Sequence, residues 1–227
     1  MYTLFTATST TAHGSMYNPL DQLDPSVTSH REAWLKKNGF TLADTTRLYI
    51  TYDGTDFCRY KEVGVQEKGI GTQKAVPSPA DALVTTTPGQ VLFLPVADCV
   101  ATIFFDPTKG VLMLSHLGRH SLEQDGAVRS VTHLVQHYGS KPEDIQTWLS
   151  PAPSKAAYAI YTLNNRGMKE VAFEQLERAG IRAENITDNP ADTATDPRYF
   201  SHSAFLKGEK SEDGRFAVIA VMKESQL

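Results

Sequence analysis

The 227-residue sequence predicts an α+β (mixed α/β) fold, in which layered, sandwich-like β-sheets are flanked by helices. Three observations predict it. Four apolar runs of strand length follow one another between residues 80 and 116, split only by turns. Segments with helical periodicity precede and follow these runs. Strands and helices alternate without a strict β-α-β rhythm. No repeat or low-complexity linker is found, so residues 1–227 are expected to form a single domain.

The N-terminal part of the sequence predicts two strands and one helix. A short strand is expected at 2–7. A helix is expected over 24–39, because Asp24 is a favourable N-cap and Gly39 is typical of a helix C-terminus. The segment 46–52, TRLYITY, has the β-branched and aromatic residues typical of a strand.

The central part of the sequence predicts the main sheet. Its apolar runs carry few polar residues, which is typical of strands that are buried on both faces. The glycine- and proline-containing segment 64–80 before them is expected to be a loop. The predicted strands are 80–85, 89–99, 100–106 and 110–116.

The C-terminal half predicts two helices and two further strands. The clearest helix is 121–139, where Ser121 and Gln124 have the spacing of a capping box and Gly139 is a favourable end. The other predicted elements are a strand at 145–150, a helix at 167–180 and a strand at 215–223.

Composition excludes several classes of protein. The sequence has 22 Lys and Arg against 26 Asp and Glu, a net charge of −4, and no basic run. A nucleic-acid partner or a membrane surface is therefore not expected. No apolar stretch reaches the roughly 18 residues of a membrane span, and the N-terminus lacks the pattern of a signal peptide. With Cys58 and Cys99 as its only cysteines, the protein is expected to be cytoplasmic.

One stretch of the sequence suggests a chemical site. Cys99 lies between two predicted strands, and His116 ends the next one. If neighbouring strands carry them, their side chains meet at one rim of the sheet, beside the start of the predicted helix with its free N–H groups. Arg119 and His120 lie in the same turn and add charge and a titratable group. The alternative is that Cys99 is a small buried hydrophobe and His116 a hydrogen-bonded surface group.

Several strings of residues resemble one family over nearly the whole chain. They are ADALVTTTPGQVLFLPVADC (80–99), SHLGRHS (115–121), WLSPAPSKAAY (148–158) and TDPRYFSHSAFLKGEKSEDGRFAVIAVM (195–222). These strings resemble the laccase-domain proteins, once called multicopper polyphenol oxidases and now regarded as zinc-dependent purine nucleoside phosphorylases and adenosine deaminases. The resemblance implies a laccase-domain or cytotoxic necrotizing factor-like fold. It also implies an enzyme that acts on purine nucleosides and phosphate.

The resemblance implies a metal site with three ligands, which are the His of a QVHG string, the Cys of ADC and the His of HAGWRG. Cys99 and His116 match the last two. The string ITYDGTDF stands in place of QVHG and puts Asp53 where the histidine would be, whereas a second registration over QEKG would put Lys68 there. Because Asp, Cys and His are all zinc ligands, zinc on Asp53, Cys99 and His116 is expected.

Copper is less expected than zinc. A true laccase needs on the order of ten histidine ligands, chiefly in His-x-His pairs, and even a copper electron-transfer site uses two His and a Cys. The sequence has seven His and no His-x-His pair. Copper oxidase chemistry is therefore not predicted.

The sequence departs from the family around the predicted pocket. Arg119 and His120 replace the Trp and Arg of HAGWRG, and FSHSA replaces FSyRR, which introduces His202 and removes both arginines. Arg215 is retained. We expect Arg119, Arg215 and His202 to bind substrate, and Arg119 and His120 to take part in catalysis with the cysteine and histidine of the site.

Three hypotheses for the function follow from these residues. The first is a metal-assisted enzyme that cleaves purine nucleosides with phosphate or deaminates adenosine, with Arg119 binding the anion and His120 moving a proton. The second is a metal-free thiol hydrolase or deamidase, with Cys99 as nucleophile and His116 as its base. The third is a non-catalytic nucleoside-binding protein that has kept the fold.

Overall fold

The structure is a computed structural model that describes residues 2–225. Within these residues the strands are β1 (Tyr2–Thr8), β2 (Thr45–Arg47), β3 (Tyr60–Glu62), β4 (Ala82–Thr85), β5 (Val91–Val96), β6 (Val100–Asp106), β7 (Val111–Leu117), β8 (Gln146–Leu149), β9 (Ala159–Ile160), β10 (Arg166–Gly167), β11 (Ile186–Asp188) and β12 (Phe216–Glu224). The α-helices of the same part of the chain are α1 (Pro25–Lys37), α2 (Arg119–Leu122), α3 (Gly126–Tyr138), α4 (Met168–Arg178) and α5 (His202–Leu206).

Two sheets form the centre of the molecule. One has four strands in the order β1-β12-β5-β2, and the other has six in the order β11-β8-β6-β7-β4-β3. β12 lies between β1 and β5 and is antiparallel to both. β6 lies between β7 and β8, also antiparallel to both. The predicted single-domain α+β architecture is confirmed.

The alternation of side chains along β5 shows how the layers are built. Leu92 and Leu94 belong to the core between the two sheets, together with Ile103 and Leu114 of the six-stranded sheet. Phe93 points the opposite way and packs against α1. Because successive side chains of a strand face opposite sides, β5 needs apolar residues at every position, and it is buried along its whole length.

Helices cover the outer faces of both sheets. On the four-stranded sheet, Trp34 of α1 lies edge-on to Phe93 with ring centroids 6.0 Å apart. On the six-stranded sheet, α3 and α4 bury Leu134 and Leu176 in one core with Phe104. The order of layers is thus helix, sheet, sheet, helices, and the apolar stripes of the helices supply the two outer cores.

α1 begins and ends close to the residues that the sequence predicts. The Asp24 carboxylate accepts hydrogen bonds from the backbone N–H groups of Ser26 and Val27, at 2.8 and 3.0 Å. At the other end of the helix Gly39 has a φ of +82°, a conformation that glycine adopts without strain. The predicted helix over 24–39 is therefore confirmed within two residues at each end.

The predicted strand at 46–52 is wrong beyond Arg47. The β2–β5 ladder continues only to the bond that the Leu48 N–H donates to the Phe93 carbonyl, at 2.8 Å. The next residue of β5 that faces β2 is Pro95, which has no N–H to donate. The ladder stops there, and residues that follow β2 form part of the wall of a cavity.

The predicted helix at 121–139 is interrupted, and Ser121 does not cap it. The chain forms the single turn α2, and Asp125 then adopts a φ of +57° before α3 begins. The Ser121 hydroxyl donates instead to the carbonyl groups of His116 and Gly118, at 3.1 and 3.0 Å. Only one residue separates the end of β7 from the start of α2.

None of the helices within residues 2–225 combines the length and the apolar character needed to cross a lipid bilayer.

Candidate functional site

A cavity of about 540 Å³ opens where the β5–β6 turn, the end of β7 and α2 meet. This volume is in the usual range for small-molecule sites. The aromatic and imidazole side chains on its wall are Tyr17, Tyr52, Phe57, His116, His120, Tyr158 and His202. The cationic side chains on its wall are Arg47, Arg119 and Arg215.

Cys99 is placed by a tight turn between β5 and β6. The preceding residue, Asp98, has a φ of +74°, which is uncommon for a residue other than glycine. Its carboxylate accepts hydrogen bonds from the backbone N–H of Ser203 at 2.7 Å and from the Thr193 hydroxyl at 3.2 Å. These bonds hold the turn in a strained conformation and fix the direction of the Cys99 side chain.

His116 reaches the same point from β7. It lies opposite Ala101 in the β6–β7 ladder, and its backbone N–H donates to the Asp81 carbonyl at 2.8 Å. The Cys99 Sγ and the His116 Nε2 are each 3.2 Å from the position that a Cβ of Gly118 would occupy. The sulfur and the nitrogen are therefore separated by no more than twice that distance, as expected for residues at one rim of the sheet.

The surrounding protein keeps both side chains neutral at neutral pH. Desolvation, and secondarily the charge of Asp98, raises the pKa of the Cys99 thiol to about 12. Desolvation lowers the pKa of His116 to about 4, although Asp81 opposes this shift. A thiolate–imidazolium pair, which would activate a cysteine nucleophile, is therefore disfavoured.

The low pKa of His116 predicts that acid destabilises the fold. Because the ordinary pKa of histidine is 6.5 and that of His116 is about 4, the unfolded chain binds more protons between these pH values. The free energy of unfolding should fall by about 2 kcal/mol from this residue as the pH drops from 6.5 to 4. Urea unfolding at several pH values measures this. The His116→Gln variant should show a flatter pH profile than wild type, whereas His137→Gln, at an exposed site, should not.

The structure places one of the three predicted metal ligands apart from the other two. Asp53 is exposed and does not line the cavity. Its loop is held by Gln124, whose side chain donates to the Thr55 carbonyl at 2.6 Å and accepts from the Phe57 N–H at 3.0 Å. Lys68, the alternative position, lies 3.8 Å from Asp44 in an ion pair. Between residues 2 and 225, no three His, Cys, Asp or Glu side chains are grouped to hold a metal ion.

The other predicted site residues all lie on the wall of the cavity. Arg119 and His120 stand next to each other, with 3.1 Å between Nη2 and Nε2. Arg215 donates to Asp213 at 2.8 Å, and His202 lies 3.1 Å from the same carboxylate. The carboxylate thus holds both side chains at one side of the cavity.

The sequence reasoning missed several residues of the site. Asp81 is buried and receives two hydrogen bonds from the Arg59 guanidinium, at 2.7 and 3.0 Å. Asp81 lies in the ADALVT string, so this motif could have identified it as a residue of the site. Phe57 stacks on His120 with ring centroids 4.6 Å apart, and Tyr52 lies 5.8 Å from the same ring. Both lie in the ITYDGTDF string, where the sequence analysis considered only Asp53.

Comparison with known proteins finds one family. The sequence profile described as multi-copper polyphenol oxidoreductase laccase matches residues 21–166 and 164–223. A purine nucleoside phosphorylase of Xylella fastidiosa (strain Temecula1) is 28% identical in an alignment of 171 positions that covers 65% of this chain and 62% of that protein. The purine nucleoside phosphorylase YlmD of Bacillus subtilis is 26% identical over 159 residues, covering 66% and 57%. The chain thus spans less than two thirds of the length of these relatives.

Solved structures show the same fold. The Bacillus licheniformis protein YfiH superimposes with a TM-score of 0.82, at 20% identity, over 96% of this chain and 92% of that one. YlmD from Geobacillus stearothermophilus gives the same TM-score and identity over 98% and 92%. At this level of identity the likeness shows the architecture alone.

Proposed function

Because the chain belongs to the multi-copper polyphenol oxidoreductase laccase family, we propose that it acts on purine nucleosides and cleaves their glycosidic bond with phosphate. The relatives of this chain that are named purine nucleoside phosphorylase support the proposal. The observation that carries it is the cavity in which Cys99 and His116 meet beside arginine, imidazole and aromatic side chains.

The wall of the cavity offers what a nucleoside and a phosphate require. Aromatic rings such as Tyr52 and Tyr158 suit a flat purine, because stacking on an aromatic face is favourable for any base. Arg119 and Arg215 suit the phosphate, because guanidinium groups bind its oxygens in a bidentate manner. These complementary surfaces lie within one cavity, so the two reactants can be held side by side.

The proposed reaction assigns a role to each polar group. A phosphate oxygen forms a bond to the anomeric carbon of the ribose, while the glycosidic C–N bond breaks and its electron pair moves into the purine. Arg119 holds the phosphate, and His120 moves a proton. Neutral His116 offers the substrate one nitrogen lone pair or one N–H group, and the neutral Cys99 thiol beside it offers one S–H group.

The residues present do not make up the expected three-ligand zinc site. Cys99 and His116 supply two suitable donors, but Asp53 is outside the cavity. The proposed reaction therefore uses no metal-dependent step. Zinc, predicted on Asp53 together with these two residues, stays a prediction, which elemental analysis of purified wild type and of the Cys99→Ser variant tests.

The metal-free thiol hydrolase is the weaker alternative. It shares the same two residues, but the raised pKa of the Cys99 thiol leaves little thiolate at neutral pH. Labelling by iodoacetamide checks this: Cys99 should react no faster than Cys58, whose pKa is also raised by burial, to about 11.

The test of the proposal is a phosphate-dependent assay. Purified protein incubated with inosine or adenosine should release hypoxanthine or adenine together with ribose 1-phosphate, and release should require phosphate. Arg119→Gln should raise the KM for phosphate about tenfold, since a charge-assisted contact is worth roughly 1.5–3 kcal/mol. Arg178→Gln, on α4 and away from the cavity, should not.

Other outcomes of this assay have distinct meanings. Conversion of adenosine to inosine without phosphate would favour deamination over phosphorolysis. Nucleoside binding in calorimetry with no product would favour the non-catalytic hypothesis. The absence of hypoxanthine, adenine and inosine in the presence of added zinc would contradict the proposal.

A further inference from the structure

We propose that Glu123 is a positioning residue for His120, holding its ring so that Nε2 accepts the proton of a phosphate bound beside Arg119. The inference rests on the proposed phosphorolysis. It assigns a role to a carboxylate that stands just outside the cavity wall and that no motif marks.

The two nitrogens of His120 face groups of opposite character. The Nε2 atom lies 3.1 Å from the Arg119 Nη2, and the Nδ1 atom lies 3.5 Å from the Glu123 Oε2. A guanidinium only donates hydrogen bonds, so Nε2 must be the accepting nitrogen of the neutral ring. The proton of the neutral ring then sits on Nδ1, facing the carboxylate.

The ring of His120 is also held on its face. Phe57 stacks on it with an interplanar angle of 23°, and Tyr52 approaches at an angle of 56°. A quarter-turn of the imidazole about its Cβ–Cγ bond would lose the stacking, and a half-turn would move both nitrogens away from their polar partners. The arrangement therefore fixes the orientation as well as the tautomer of His120.

Glu123 is itself fixed in place. It follows His120 by three residues at the end of α2, a spacing that puts two side chains on one side of a helical turn. Its second oxygen, Oε1, accepts a hydrogen bond from the Thr162 hydroxyl. Only 23% of the Glu123 side chain is exposed. The carboxylate is thus clamped between Thr162 and the imidazole, which is the geometry of an orienting partner.

This geometry gives His120 a defined step in the proposed reaction. Phosphate that binds Arg119 takes over the Nη2–H group, which frees the lone pair of the His120 Nε2 to accept from the P–OH group. As the phosphate oxygen bonds to the anomeric carbon, its proton moves to Nε2 and the C–N electron pair moves into the purine. The imidazolium, stabilised by the Glu123 carboxylate, then returns the proton to the departing base through water at the open mouth of the cavity.

The first test reads the tautomer directly and needs no activity. The ring ¹⁵N shifts of His120 should show the Nδ1–H tautomer in wild type. In an Arg119→Met background, where no guanidinium faces Nε2, the ring should keep the Nδ1–H form with Glu123, shift towards the Nε2–H form with Glu123→Ala, and return with Glu123→Gln, which keeps an accepting oxygen. An unchanged tautomer on Glu123→Ala in this background would overturn the proposal. If that variant does not fold, an Nε2–H ring in wild type would still overturn it.

The second test separates positioning from a structural role. Glu123→Ala should lower kcat about tenfold and leave the KM for phosphate within about twofold, since losing an orienting partner typically costs 10–100-fold. In a His120→Ala background the same change should have no further effect, because Glu123 acts only through the imidazole. Additive losses would overturn the proposal. Glu177→Gln, at an exposed site on α4, controls for the loss of one charge.

The two tests keep this proposal distinct from the proposed function. If the protein releases no purine but the tautomer responds to Glu123→Ala, phosphorolysis fails and the positioning of His120 stands. If purine is released and neither the tautomer nor kcat responds, the role of Glu123 fails and the proposed function stands.

Discussion

Replacement of Cys99 by serine is expected to lower kcat/KM for phosphorolysis about 100-fold, the scale for loss of one positioned polar group at the reacting centre. The reason is its position. Cys99 stands at the tip of a strained turn that is fixed by the Asp98 carboxylate, and its sulfur converges with the His116 imidazole on one point of the cavity. The serine oxygen is smaller and less polarisable, so it cannot reproduce the contacts of the sulfur.

The matched control is Cys58→Ser, since these are the only two cysteines in the chain. Cys58 is buried, and its sulfur lies 4.0 Å from the Ser121 carbonyl rather than on the cavity wall. Its replacement should cost some stability and leave kcat/KM within about threefold. Comparable activity of wild type and Cys99→Ser would show that the cavity chemistry does not depend on the thiol.

Gly118→Ala is expected to lower kcat/KM about 100-fold while the protein remains folded. The backbone at Gly118 has a φ of −88°, which alanine adopts without strain. The added methyl group, however, would lie 2.7 Å from the His116 Cε1 and 3.2 Å from the Cys99 Sγ. Both side chains must move, and a displacement of about 1 Å at a reacting centre can cost 100-fold.

Gly64→Ala is the control for this variant. Gly64 has a φ of −142°, and its nearest neighbour is the Thr87 hydroxyl at 3.4 Å, an ordinary contact. Activity should be unchanged in Gly64→Ala, and the Tm of both glycine variants should stay within about 5 °C of wild type. If Gly118→Ala retained full activity, the narrow gap between the two side chains would have no catalytic importance.

Much of the fold could be predicted because burial leaves a strong pattern. β5, β6 and β7 are buried on both faces, so their apolar runs stand out in the sequence. The short edge strands β3 and β11 were missed, and two predicted elements were wrong where a single residue overrides the pattern. Pro95 of β5 lacks the backbone N–H that would continue the β2–β5 ladder. The left-handed conformation of Asp125 breaks a segment that has good helical periodicity.

The site could be predicted where motif residues are close to each other in the sheet, and not elsewhere. Cys99 and His116 are adjacent through the β6–β7 ladder, so strand order alone brings them together. Asp53 was placed by matching strings, but the direction of its loop depends on contacts with Gln124 that the sequence does not reveal. Phe57 likewise reaches His120 only through tertiary structure.

The position of β12 has a consequence for how the chain acquires its structure. β12 follows both of its neighbours in the sequence and lies between them, where it joins β1 to β5. Until Phe216–Glu224 has been synthesised, the facing edges of β1 and β5 keep unpaired backbone groups, which is the kind of surface that promotes aggregation. Closure of the four-stranded sheet during synthesis therefore has to wait for this segment.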